Sequence, residues 1–265
     1  MIILLTNDDG VASEGLLSLR ELLSADHDVY VVAPERQRTC VGHAITLHKP
    51  LRLRRAGDGV YGSNGTPADC VLLGVQVVLP ARPDMIISGI NSGPNMGQDV
   101  NYSGTVAAAK EGARLGIVSL AVSAAARDHF LYAEVSAVVG ELIDILGGAS
   151  MPPQVFLNVN VPNIERSLVR GFRVTRLGKR IYNDTVIERV DPRGERYYWI
   201  GGGGDAFDAA RGSDFHAVQK GFVSVTPLSA DGTSVSMGQC RELLAGGRRP
   251  SPSSSMRNRR RRSEA

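Results

Sequence analysis

The sequence predicts an α/β protein built on a mostly parallel sheet flanked by helices. Two observations carry this expectation. Short apolar runs alternate with amphipathic stretches from the N-terminus to about residue 161. The amphipathic stretches are long enough to serve as the crossovers that join parallel strands, which are right-handed almost without exception.

Each element has a local reason. Met1–Leu5 is an apolar run stopped by Thr6-Asn7-Asp8-Asp9-Gly10, a buried strand ending in a polar turn. Ser13 to Ala25 carries Leu16, Leu19, Leu22 and Leu23 at helical spacing, with Ser13 as N-cap. Val29–Ala33 is the second strand, closed by Pro34. Residues 44–63 alternate imperfectly around Pro50 and a Gly57-Asp58-Gly59 turn, a β excursion. Thr66-Pro67-Ala68-Asp69 is N-cap and first-turn chemistry for a helix reaching Leu79. Met85–Ser88 is the third strand, Thr105–Leu115 a helix, and Ile117–Val122 the fourth strand. Apolar residues at 131, 135, 138, 139, 142, 145 and 146 make Phe130–Leu146 an amphipathic helix, and Phe156–Val161 is a further strand.

Beyond this point the β-α rhythm stops. Residues 172–200 are polar-aromatic and lead into Gly201–Gly204. They read as β arms, either of the kind that join subunits or as an ordinary extra hairpin. Ser213–Gln219 and Phe222–Pro227 add a helical turn and a closing strand. The expected organisation is a folded domain over residues 1–247 and a basic tail over 248–265, rich in Arg, Ser and Pro and too poor in apolar residues to fold.

Composition narrows the class. Of the 265 residues, 43% are hydrophobic and 22% charged, ordinary values for a water-soluble protein. No run of eighteen apolar residues exists, so no membrane-spanning helix is expected. The first ten residues lack a basic leader region, so no signal peptide is expected. Cys40, Cys70 and Cys240 are odd in number and widely spaced, which points to a reducing cytoplasm. The net charge of +3 conceals an asymmetry: the tail holds seven arginines against Glu264, a surplus of six, so residues 1–247 carry −3. The run Arg259–Arg262 could contact nucleic acid, but a solvated end is the preferred reading, because no aromatic residues are interleaved for base stacking.

Chemistry is expected at strand carboxyl ends, where open α/β sheets bind ligands. Three polar loops leave such ends, at residues 6–10, 34–39 and 88–97. Asp8 and Asp9 are adjacent carboxylates, and two like charges held close are relieved by a divalent cation. The hydroxyl of Thr39 and the Asn/Gly-rich third loop supply further hard oxygen donors suited to Mg²⁺ or Mn²⁺. Tyr102-Ser103-Gly104-Thr105 opens a helix, and free N–H groups beside hydroxyls suit a phosphate, although simple N-capping uses the same residues. No GxxxxGK occurs and no GxGxxG follows the first strand, which argues against a P-loop or a dinucleotide site.

Five motifs run in order across nearly all of residues 1–228: NDDG at 7–10, APERQRT at 33–39, GTPADCV at 65–71, SGINSGPNMGQDVNYSGTVAAAKEG at 88–112 and GFVSVTPL at 221–228. With them the chain resembles the SurE family of stationary-phase survival 5′-nucleotidases. The resemblance implies a Rossmann-like core with a C-terminal β extension swapped between subunits, hence a homodimer or homotetramer. It also implies a metal-dependent phosphomonoesterase acting on nucleoside 5′-monophosphates, with 3′-nucleotides and short polyphosphate as further substrates. Carried over by motif, Asp8, Asp9, Thr39 and Asn91 would hold one divalent ion, Mg²⁺ or Mn²⁺, per subunit. Asn95, Ser103, Gly104 and Thr105 would line the phosphate site, and Asp8 or Asp9 would also accept a proton from the attacking water. One departure stands out: the family usually has Ser where this chain has Thr39, which keeps the oxygen and adds a methyl. The alternative readings are a phosphatase of a non-nucleotide phosphomonoester, or anion binding through the tail. Cys40 is expected to be a buried or half-buried bystander.

Overall fold

In the computed structural model, which describes residues 1–147, 151–181, 185–201 and 207–232, β1 (Ile2–Thr6) lies inside a nine-stranded sheet. It pairs in parallel with β2 (Asp28–Pro34) on one side and β5 (Met85–Ser92) on the other. The parallel run extends outward through β4 (Val60–Ser63) beyond β2, and through β6 (Val118–Ala125) and β7 (Val155–Pro162) beyond β5. β3 (Leu53–Gly57) closes one edge antiparallel to β4. At the other edge β13 (Val223–Ser229) runs antiparallel to β7 and parallel to β8 (Phe172–Val174). The order is thus β3-β4-β2-β1-β5-β6-β7-β13-β8. The chain winds from β1 to one side and then returns to β5 on the other. The space above the carboxyl ends of β1 and β5 is therefore the topological switch point, where such sheets open a crevice.

Strand alternation builds a core on each face. Ile3, Leu5 and Ile87 join the cluster that includes Leu16 and Leu19 of α1 (Glu14–Leu23) and Val135, Val139 and Ile143 of α4 (Tyr132–Leu146). Leu4 and Ile86, one residue out of phase, face Cys70 and Val71 of α2 (Pro67–Leu73) and Ala108 of α3 (Gly104–Arg114).

The structure departs from the sequence expectations in four places. The helix expected to reach Leu79 ends at Leu73, and a π-helical turn over Gly74–Val78 follows, closed by Leu79 N–H on the Gly74 carbonyl at 3.0 Å. The third strand does not stop at Ser88. It continues to Ser92 because Asn91 and Ser92 still pair with Ser123 and Ala124 of β6, across an irregular register. The Asn91 amide therefore belongs to a strand end rather than a free loop. β8 joins the main sheet instead of forming an arm, while β10 (Thr185–Val190) and β11 (Arg196–Gly201) form a separate antiparallel hairpin. Cys40 is exposed rather than buried, at a φ of 56°. β9 (Lys179–Arg180) pairs with β12 (Phe207–Asp208), and α5 (Asp214–Gln219) precedes β13. The expected boundary at residue 247, the basic tail, Cys240 and most of the Gly201–Gly204 run lie outside the described residues. Among the described residues, no helix is long and apolar enough to cross a membrane.

The small-residue face of α3 lets it lie close to the sheet. A Cβ added at Gly112 would come 2.3 Å from Ser119 Oγ and 2.9 Å from Ile86 Cδ1. Gly112→Ala is expected to destabilise the fold by about 1–2 kcal/mol in urea denaturation, because overpacking of about 1–3 kcal/mol outweighs the roughly 1 kcal/mol gain in helix propensity. Unchanged stability would mean that α3 can slide on the sheet.

Candidate active site

The turn after β1 is shaped by a side chain that the sequence reading left without a role. Asn7 is fully buried, and its Oδ1 accepts the Gly10 N–H at 3.1 Å. Its Nδ2 donates to the Gly10 carbonyl at 3.1 Å and to Ser13 Oγ at 2.6 Å. Ser13 does stand at the N-cap of α1, but makes no capping bond there. Asn7 thus clamps both ends of the turn and leaves Asp8 and Asp9 projecting at the carboxyl end of β1.

Asp8 is only 6% exposed. The Thr105 hydroxyl donates a short hydrogen bond to Asp8 Oδ1 and lies 3.2 Å from Asn91 Oδ1. Asn91 Nδ2 is held by the Gly93 carbonyl at 2.8 Å, which fixes the amide orientation. The first residue of α3 closes on the same carboxylate: a Cβ at Gly104 would sit 2.7 Å from Asp8 Cβ and 2.9 Å from Oδ2. No side chain fits, so the helix can begin there only with glycine. Ser103 caps α3 by accepting the Val106 N–H at 3.1 Å, and its carbonyl takes the Ala107 N–H. The N–H groups of Gly104 and Thr105 have no intrahelical acceptor, as in the first turn of any helix.

Burial raises the Asp8 carboxyl above its ordinary value. The Thr105 hydroxyl pulls it back, and the neighbouring Asp9 charge adds to the rise. Asp9 is half-buried and points toward β5, where its Oδ2 accepts both the N–H and the hydroxyl of Ser92 at 3.0 Å each. The Ser92 hydroxyl also lies 2.8 Å from the Tyr132 hydroxyl at the start of α4.

The remaining sequence candidates are placed less centrally. Thr39 is exposed on the loop after β2 and, among the described residues, makes no side-chain hydrogen bond. Its loop is nevertheless tied to the site: Arg38 N–H donates to the Asp8 carbonyl at 2.7 Å, and Gly42 N–H donates to the Tyr102 carbonyl at 3.0 Å. Next in the chain, His43 pairs with Glu111 of α3 at 2.8 Å. Asn95 is buried under the third loop. Its N–H donates to Asn160 Oδ1, its Nδ2 to Ser123 Oγ, and its carbonyl accepts from Asn158 and Asn160. Ser103 is buried at the helix cap, and Thr105 is spent on Asp8 and Asn91. Ser92, Tyr132 and Asn7 are the residues sequence reasoning passed over. Asn7 and Ser92 stand inside the quoted motifs, whereas nothing local marks Tyr132.

The donor set can be tested for a cation. Asp8 Oδ1, Asn91 Oδ1 and Thr105 Oγ1 converge with a single hydroxyl hydrogen among them. A buried carboxylate and an amide oxygen sharing one hydrogen are electron-rich, and a hard divalent ion matches that chemistry. Among the described residues, no group of three or more His, Cys, Asp or Glu gathers, so a thiolate- or imidazole-rich centre is not assembled.

A doubly wound sheet with carboxylates, an amide and a helix N-terminus meeting at its switch point defines the class: an α/β protein with a polar crevice at the carboxyl ends of its strands. The family model for survival protein SurE matches residues 3–184. The chain is 48% identical to the 5′-nucleotidase SurE of Geobacter metallireducens over 235 residues, covering 88% of this chain and 93% of that relative. It is 44% identical to the 5′-nucleotidase SurE of Syntrophotalea carbinolica, over 91% and 96% of the two chains. The crystal structure of the SurE protein from Aquifex aeolicus superposes with a TM-score of 0.82 at 41% identity, covering 92% of this chain and all of that one. The chain belongs to the SurE family.

The raised Asp8 pKa has a consequence for stability. An acid whose folded pKa exceeds its unfolded one disfavours the fold when ionised, a cost present above the folded pKa and absent below the unfolded one. Without added cation, Asp8→Asn is therefore expected to raise the thermal midpoint at pH 7, with the gain vanishing toward about pH 4. A lower midpoint at pH 7 would mean that the Thr105 contact outweighs desolvation.

Proposed function

We propose that this chain is a metal-dependent 5′-nucleotidase, a phosphomonoesterase that converts nucleoside 5′-monophosphates to nucleoside and phosphate. The observation that carries the reading is the seating of the α3 N-terminus on Asp8, with Thr105 joining that carboxylate to Asn91. The relatives that bear the name 5′-nucleotidase SurE align with 88% and 91% of this chain.

Asp8, Asp9 and Asn91, with Thr39 from the facing loop, would hold one divalent ion, Mg²⁺ or Mn²⁺. Bound there, such an ion supplies positive charge to the phosphoryl oxygens and lowers the pKa of a nearby water. The chain does the rest. The Gly104 N–H donates to a phosphoryl oxygen, reinforced by the helix dipole, while the Thr105 N–H turns to the Asp8 carboxylate and lines the same turn. Ser103 keeps that turn open by capping the next N–H itself. Asn95 retains one amide hydrogen beyond its bond to Ser123, and that hydrogen is its means of reaching the phosphate. Asp9, less enclosed than Asp8, accepts the proton of the attacking water. Asp8 is poorly disposed to act as a covalent nucleophile, since one oxygen is bonded by Thr105 and the other lies against Gly104.

The assembly belongs to the same reading. Trp199 is 63% and Ile200 93% exposed on the β10–β11 hairpin, and such exposed apolar side chains support contact with a second subunit in a homodimer or homotetramer. A reducing cytoplasm suits the free thiols of Cys40 and Cys70.

Phosphate release from 5′- and 3′-nucleotides, polyphosphate and sugar phosphates, with and without Mn²⁺, tests the proposal. Nucleoside 5′-monophosphates are expected to be the best substrates and excess chelator to stop turnover. A preference for sugar phosphates would point to a non-nucleotide phosphatase. Asp8→Asn is expected to lower kcat by about a hundredfold or more, and wild-type turnover by that variant would remove Asp8 from the site. Thr39→Ser restores the hydroxyl without the methyl. Its kcat/KM is expected to stay within about tenfold of the parent, roughly 1.4 kcal/mol, and a larger loss would give the methyl its own packing role.

A further inference from the structure

We propose that Tyr132 is a positioning residue for Asp9, acting through Ser92, and that this three-member chain sets which carboxylate oxygen the site can use. The inference rests on the metal-dependent reading above. Asp9 Oδ2 accepts the Ser92 N–H and the Ser92 hydroxyl, both at 3.0 Å. The hydroxyl has one hydrogen, and the carboxylate takes it. The 2.8 Å contact between Ser92 Oγ and Tyr132 Oη is then filled by the tyrosine hydrogen, so Tyr132 donates to Ser92 and Ser92 donates to Asp9.

Asp9 Oδ2 is thereby occupied by two donors, and Oδ1 is the oxygen left for a cation or a water. Without the tyrosine, the Ser92 hydroxyl loses its donor and gains rotational freedom. The Asp9 carboxylate then keeps only the backbone N–H as a fixed partner. Tyr132 itself is well placed for the task. It opens α4, and its ring stacks on Phe130 at 5.4 Å between centroids with a 20° interplanar angle. The hydroxyl is thus delivered by a ring that packing holds in place, from a helix on the opposite face of the sheet from α3. Two helices therefore aim the two aspartates: α3 acts on Asp8 through Thr105, and α4 acts on Asp9 through Tyr132 and Ser92.

Tyr132→Phe removes the hydroxyl and keeps the stacked ring. Binding of Mn²⁺ alone to the full-length chain, followed by calorimetry, is the primary readout, with kcat and KM for a nucleoside 5′-monophosphate beside it. Tyr132→Phe is expected to weaken Mn²⁺ binding about threefold to tenfold and to lower kcat more than it raises KM. Ser92→Ala is expected to lose at least as much. The double variant is expected to be no worse than Ser92→Ala, because the tyrosine acts only through the serine. Wild-type Mn²⁺ affinity in Tyr132→Phe would overturn the proposal, as would additive losses in the double variant. A parent chain that binds no Mn²⁺ and releases no phosphate would instead overturn the metal-dependent reading on which the proposal rests.

Discussion

The contact between the first turn of α3 and the Asp8 carboxylate organises this molecule. Gly104 lies so close to Asp8 that no β-carbon fits, and Thr105 bonds the carboxylate from the same turn. That approach requires α3 to sit tightly on β5 and β6, which explains its run of alanines and the packing of Gly112 against Ser119. It also buries an acidic group at the mouth of the crevice. The ionisation of that carboxylate disfavours the folded state, and a buried negative charge of this kind is relieved by a nearby cation.

From that contact the other parts of the site follow. The loop after β2 is anchored on the Asp8 carbonyl by Arg38 and on α3 by His43 and Glu111, so Thr39 is carried on a short bridge between two fixed points. The strand β5 runs on through Asn91 and Ser92 because β6 still pairs with it there, which makes the amide and the serine parts of a strand end. Rigid elements hold oxygen donors more reproducibly than loops do. Asn95, pinned by Ser123, Asn158 and Asn160, ties the intervening glycine-rich segment to β6 and β7.

Much of the candidate site's make-up was legible in the sequence because its signals are local. Adjacent aspartates at a strand end, an Asn in a glycine-rich run and a Ser-Gly-Thr helix start are chemistry written over a few residues. The roles within that set were less legible. Thr105 reads as a phosphate ligand from its place at a helix start, yet its hydroxyl is taken by Asp8 and Asn91, residues 97 and 14 positions away. Ser13 reads as an N-cap, yet its hydroxyl serves Asn7. A hydroxyl chooses its partner from everything within about 3 Å, and sequence spacing lists only the partners on its own element.

The sequence by itself determined the alternation of strands and helices, the parallel sheet and the polar chemistry of its carboxyl edge, because periodicity and turn residues act over one element at a time. Tertiary structure alone decided that β1 and β5 would be neighbours, that Gly104 would close on Asp8, and that Tyr132 would reach Ser92. Those contacts join residues far apart in the chain, through winding and packing that no local pattern encodes. The charge of the chain divides the same way. Its surplus of positive charge lies in the last eighteen residues, while the surroundings of Asp8 and Asp9 are set by the fold.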